Sequence, residues 1–178
     1  LENGADVNQA TTAGVSALYV ACLGGHVDIA RLLLDNGANV TQAKNNGASP
    51  LAVASYHGHL DVVRLLLESG AEVNQSAADG ASPLWVACYY NNVAVARLLI
   101  DNGADVQVNY NGDSPLDVAT AFGHDELAQL LRDKGAGDSQ TETSVASHRT
   151  HQVNLKKSPS CCATWARTST TPRTDAAR

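Results

Sequence analysis

The sequence predicts an all-α solenoid of stacked helix-turn-helix units. Three observations carry this. A Gly-Ala unit recurs at Gly4, Gly37, Gly70, Gly103 and Gly135, at spacings of 33, 33, 33 and 32 residues. A fixed period of about 20–50 residues marks a repeat architecture. Each interval holds a Ser that opens a segment (Ser16, Ser49, Ser82, Ser114) and a Leu-rich run that closes it, as in Leu32-Leu33-Leu34. A solenoid has no single closed core, so its function lies along an extended surface.

The elements follow in order. Ser49, Ser82 and Ser114 each precede Pro, an N-cap oxygen followed by a residue preset for the first helical turn. Ser16 is followed by Ala17 instead. The first helix of each unit ends near Gly25, Gly58 or Gly123, where left-handed backbone costs little, and near Asn91 in the third unit. The second helix places apolar residues at i, i+3 and i+4, as in Ile29, Leu32 and Leu33, and stops at the Gly-Ala unit. The residues after it are polar and turn-rich. Helices this short do not persist alone, so stacking on neighbours must hold them.

Composition narrows the function. Residues 1–136 carry 6 basic and 15 acidic side chains (net −9), whereas residues 137–178 carry 6 basic and 3 acidic (net +3). An acidic array prefers cationic or apolar partners and repels phosphate backbones, which argues against nucleic acid. No long apolar run suits a membrane span. Cys22 and Cys88 fall at one repeat position, about 16–20 Å apart if units stack at helix-packing distance, beyond disulfide reach. Small Ser55 and Thr120 share that position, so it reads as packing, in a reducing intracellular compartment. The chain contains no Met and opens inside a repeat, so further repeats are expected upstream of Leu1. Arg132 replaces the last apolar residue of the Leu run, which suggests a capped end. Residues 137–178 have no period and few large apolar residues, and are expected to be disordered.

These motifs resemble the ankyrin repeat. The match spans residue 1 to about residue 136, as the end of one repeat (1–10) and four more (11–43, 44–76, 77–108, 109–136). The resemblance implies an L-shaped unit, a helix pair with a hairpin-like loop projecting sideways, and protein recognition as its usual job. It departs from the family where His is usual after Leu. Tyr19, Ala52, Trp85 and Asp117 stand there. That His ties neighbouring loops, so its loss is expected to cost about 1 kcal/mol per missing bond. The last loop, Val106 to Gly112, is one residue shorter than the others.

The resemblance also places a candidate site. It implies a concave groove lined by Leu23-Gly24, Tyr56-His57, Tyr89-Tyr90 and Ala121-Phe122. It implies loop tips that include Asn45, Asn46, Asp79, Tyr110 and Asp113. Of the seven aromatics before residue 137, six read as first-helix residues and Tyr110 as a loop residue. Tyr56, Tyr89 and Tyr90 read as partner contacts, Tyr19 and Trp85 as structure. His26, His59 and His124 share one repeat position and read as turn residues. No phased acid or nucleophile accompanies His57. His148, His151, Cys161 and Cys162 lack the usual zinc-ligand spacing. The expected function is that of a non-enzymatic, monomeric adaptor that binds a protein partner, with no cofactor or metal. The alternative is the targeting arm of a larger enzyme or channel.

Overall fold

The computed structural model describes residues 4–137. Eight α-helices run through them: α1 (Ala17–Leu23), α2 (Val27–Asp35), α3 (Pro50–His57), α4 (Leu60–Glu68), α5 (Pro83–Tyr89), α6 (Val93–Asp101), α7 (Pro115–Ala121) and α8 (Asp125–Asp133). Each odd-numbered helix pairs with the next, and like helices of successive pairs pack together. No strand occurs among the described residues. The all-α architecture is the one expected. The expectations for the segment beyond Gly137, its disorder and its zinc-like residues, lie outside the described residues.

The first helices start where the serines stand. Ser16, Ser49, Ser82 and Ser114 accept the N–H of Tyr19, Ala52, Trp85 and Asp117 at 3.2, 3.1, 3.1 and 3.1 Å. Asp117 completes a capping box by accepting the Ser114 N–H at 2.9 Å. The exits are left-handed at Gly25, Gly58 and Gly123, and at Asn91 with φ 57°. Gly25 and Gly58 answer a second demand. A Cβ at Gly25 would lie 2.8 Å from the His59 ring, and one at Gly58 would lie 2.7 Å from Asn92 Oδ1.

Those neighbours are the ties between units. The nitrogen Nε2 of His59 lies 3.2 Å from the Leu23 carbonyl, and Nδ1 of His124 lies 3.0 Å from the Cys88 carbonyl. A carbonyl only accepts, so the facing nitrogen carries the proton in each case. Asn92 Nδ2 donates to the carbonyls of Ser55 and Tyr56 at 2.8 and 3.0 Å. All three residues stand at the N-cap of a second helix yet make no side-chain cap bond. They satisfy instead the orphan carbonyls at the end of the preceding first helix. The turn residues of the sequence reading therefore also link one unit to the next.

A further tie runs between the Gly-Ala units. Asn8 accepts the Asn39 N–H at 2.7 Å and donates to the Gly37 carbonyl at 3.1 Å. Asn74 repeats the pair with Asp105 and Gly103 at 2.9 and 3.3 Å. Gln107 makes one such bond, to the Gly135 carbonyl at 3.0 Å. Thr41, at the same repeat position, bonds Asn39 within its own turn.

The loops explain the missing residue. In the first three, the ends pair as Thr11 with Val15, Lys44 with Ala48 and Ala77 with Ala81, and a left-handed Gly closes each turn. In the last, Tyr110 and Asp113 exchange both backbone bonds at 3.0 Å around Asn111 and Gly112, both at positive φ. Asn-Gly is the pair that such a two-residue turn favours, so the deletion exchanges one hairpin for another.

The first helices of successive pairs lie closer together than the second helices, so the stack bends toward the first-helix side. At its open end Val20, Ile29 and Leu32 are 51, 51 and 57 % exposed. Their counterparts one unit on, Val53, Val62 and Leu65, are 0, 0 and 6 % exposed.

Candidate interaction surface

The expected groove residues gather where the first helices end. Tyr56 and His57 close α3, and Tyr89 closes α5. Tyr90 and Phe122 are not helical: they stand at the C-caps of α5 and α7, one step beyond the last turn, where their backbone N–H still bonds back into the helix. That position turns the two rings along the bent side of the stack.

The rings form one continuous ladder. His57 lies 4.5 Å from Tyr56, Tyr56 4.3 Å from Tyr90, Tyr90 4.8 Å from Tyr89 and Tyr89 5.0 Å from Phe122, between centroids. The Tyr56–Tyr90 contact is tilted by 56°, and the other three, at 60–69°, are the edge-to-face arrangement that ring quadrupoles favour. Stacked His59 and His124 extend the ladder at its two ends, 5.6 Å from His57 and 5.9 Å from Phe122. Tyr56, Tyr89 and Tyr90 are half-buried, His57 is exposed, and Phe122 is 37 % exposed. Partial burial, then the charge of His59, push the His57 pKa below its ordinary value.

Behind the ladder lies a support. Trp85 stacks on Tyr89 at 5.3 Å and packs against Tyr110 at 4.5 Å. It is fully buried, as the sequence suggested for a structural residue. Tyr110 was expected at a loop tip. It is only 6 % exposed, because the large Trp85 ring beneath the loop draws it inward. Its hydroxyl lies 3.4 Å from Asp79 Oδ2. Lys44, one unit earlier at the same loop position as Ala77, covers Tyr19 in a similar way, its Nζ 5.3 Å from the ring centroid. Where the first-helix residue is Ala52, the loop residue is Ala77, and both are buried. Bulk on the helix is thus matched by bulk on the loop.

The remaining expected residues lie off the ladder. Leu23 is half-buried at the end of α1, its carbonyl engaged by His59. Asn45 is exposed, and its Nδ2 donates to the Thr12 carbonyl at 2.9 Å, so it links loops. Asn46 Oδ1 accepts the Ala48 N–H, while its buried Nδ2 has no hydrogen-bond partner in the protein. Asp79 Oδ1 accepts the Ala81 N–H, and half-buried Asp113 lends its backbone carbonyl to Trp85. Sequence reasoning did not assign His59 and His124 to the aromatic row. Their shared repeat phase was visible, but which side they faced was not.

Among the described residues no group of three or more His, Cys, Asp or Glu is placed to hold a metal ion. No described helix is long and apolar enough to cross a membrane. Cys22 and Cys88 are buried free thiols, and burial pushes each pKa up to about 12.

A family model described as ankyrin repeats (3 copies) matches residues 1–77 and again residues 72–142. The chain belongs to the ankyrin repeat family. No curated protein matches it. Ankyrin repeats are in general protein–protein interaction modules, and the fold itself is non-catalytic.

Proposed function

We infer that this chain binds a protein partner along the aromatic ladder and across the adjoining loop tips. The single observation that carries the reading is the continuity of the ladder. Tyr56, Tyr90, Tyr89 and Phe122 come from three successive units, yet their rings touch in one row. Half-buried tyrosines on a rigid support offer contact area with little conformational freedom to lose, which is how a few aromatic anchors dominate an interface. The interface inferred here also takes in Asp79 and Asp113 on the loops, and Leu23, Asn45 and Asn46 in the earlier units.

The test is a binding titration. Partners are captured with the full chain, then titrated against it and against the Tyr89→Ala, Tyr90→Ala double variant. The reading predicts a loss of about 2 kcal/mol or more in affinity with helicity retained. Equal affinity for both chains would reject the ladder as the docking surface.

A further inference from the structure

We propose that the segment docked on this ladder is cationic, an extended stretch whose arginine guanidinium lies on the tyrosine rings. This rests on the ladder being the docking surface.

Basic residues are sorted across the fold. The four arginines of the described residues, Arg31, Arg64, Arg97 and Arg132, all lie on second helices. Carboxylates occur on both sides, but the first helices and the loops leading into them carry Asp6, Glu72, Asp79, Asp105, Asp113 and Asp117 against a single Lys or Arg, Lys44. Lys44 is buried over Tyr19 and is not part of the ladder. The bent side is therefore aromatic and anionic. An acidic segment or a phosphate backbone meets repulsion there, whereas a cation is drawn to it.

The rings suit a flat cation. Neighbours in the central row are tilted by 56–69° rather than stacked on one another, while Trp85 stacks on one face of Tyr89. The face of a tyrosine is the negative part of its quadrupole, and a guanidinium stacks on it with less desolvation cost than an ammonium. The fold already uses this chemistry once, in Lys44 over Tyr19. A carboxylate stands within the same contact network, from Tyr89 through Trp85 and Tyr110 to Asp79. The contacts at Asp79 are an N–H from Ala81 and the Tyr110 hydroxyl, neither of them a cation, so its negative charge is available to orient an incoming one.

The test is selection from a random peptide library displayed on phage, with the full chain as bait. Selected peptides are then resynthesised with each arginine replaced by citrulline, its neutral isostere. The expected result is enrichment of arginine, a loss of about tenfold or more on citrulline replacement, and weakening by added salt. Asp79→Asn, which can still accept the Ala81 N–H, is expected to weaken the arginine peptides several-fold while the unfolding midpoint holds. Enrichment of peptides without cations, proline-rich or acidic ones included, would overturn the proposal, as would equal binding of the citrulline forms. Two failures are distinguishable. If selected peptides lose binding to the Tyr89→Ala, Tyr90→Ala chain but carry no cation, the docking surface stands and the cationic class falls. If they bind that variant unchanged, the docking surface itself falls.

Discussion

Trp85 donates its indole Nε1–H to the backbone carbonyl of Asp113, 3.1 Å away on the loop of the next unit. The ankyrin family generally uses a His at the Trp85 position to tie adjacent loops. Here a larger ring, on helix α5, makes a bond of its own to the loop of the next unit. The same ring supports Tyr89, which couples the loop to the aromatic ladder.

Substitutions at Trp85 probe the tie. Trp85→Phe removes the donor and part of the buried ring, and leaves the Asp113 carbonyl without that partner. A loss of about 1 kcal/mol or more is expected. Trp85→Ala should cost about 3–5 kcal/mol, because a cavity opens between Tyr89 and Tyr110. Urea unfolding midpoints measure both. A Trp85→Phe midpoint equal to the parent's would show that the bond contributes nothing.

Leu32 and Leu65 occupy one repeat position in very different surroundings, 57 % and 6 % exposed. Leu32→Lys should therefore change stability by no more than about 0.5 kcal/mol, while Leu65→Lys, which buries a charge between units, should cost about 3 kcal/mol or more. Thermal unfolding of the two variants side by side decides it. Equal losses would mean that something in the chain covers Leu32.

The pattern that identified the units was local. Ser before Pro, Gly or Asn after seven or eight helical residues, and Leu32-Leu33-Leu34 each act within one turn of their own position. Contacts one period apart were harder to read. That Tyr110 is buried depends on Trp85 beneath it. That His59 reaches Leu23 depends on the absence of a Cβ at Gly25. The shortened loop was visible as a count, but its exchange of hairpin type rests on Asn111 adopting φ 54°. Tyr56, Tyr89 and Tyr90 could be assigned to one side by repeat phase, whereas the contacts that join them into a row needed coordinates.

Cys22 and Cys88 should be inert to alkylation in the native chain at pH 8 and reactive once urea unfolds it. Burial raises both from 9.0 to about 12, so the reactive thiolate is suppressed while the fold holds. The native state keeps these protons longer than the unfolded state. Their contribution to stability is thus complete below pH 9 and lost as pH rises from 9.0 toward 12. Mass mapping of the Cys22 and Cys88 peptides follows the reaction. Rapid labelling of either one in the native chain would contradict the packing.

His57 shifts the other way. Its folded pKa lies below 6.5, so the unfolded chain takes the proton more readily. Stability from this group is complete above pH 6.5 and declines as pH falls below it. His57→Gln should flatten part of that acid-side decline in the unfolding midpoint. An unchanged slope would place the acid sensitivity elsewhere.

Hydrogen exchange with and without a captured partner tests the central claim most directly. Binding along the ladder should slow exchange at the ends of α3, α5 and α7, around Tyr56, Tyr90 and Phe122, and in the loop around Asp79. Protection confined to α2, α4, α6 and α8, with those ends unchanged, would contradict it.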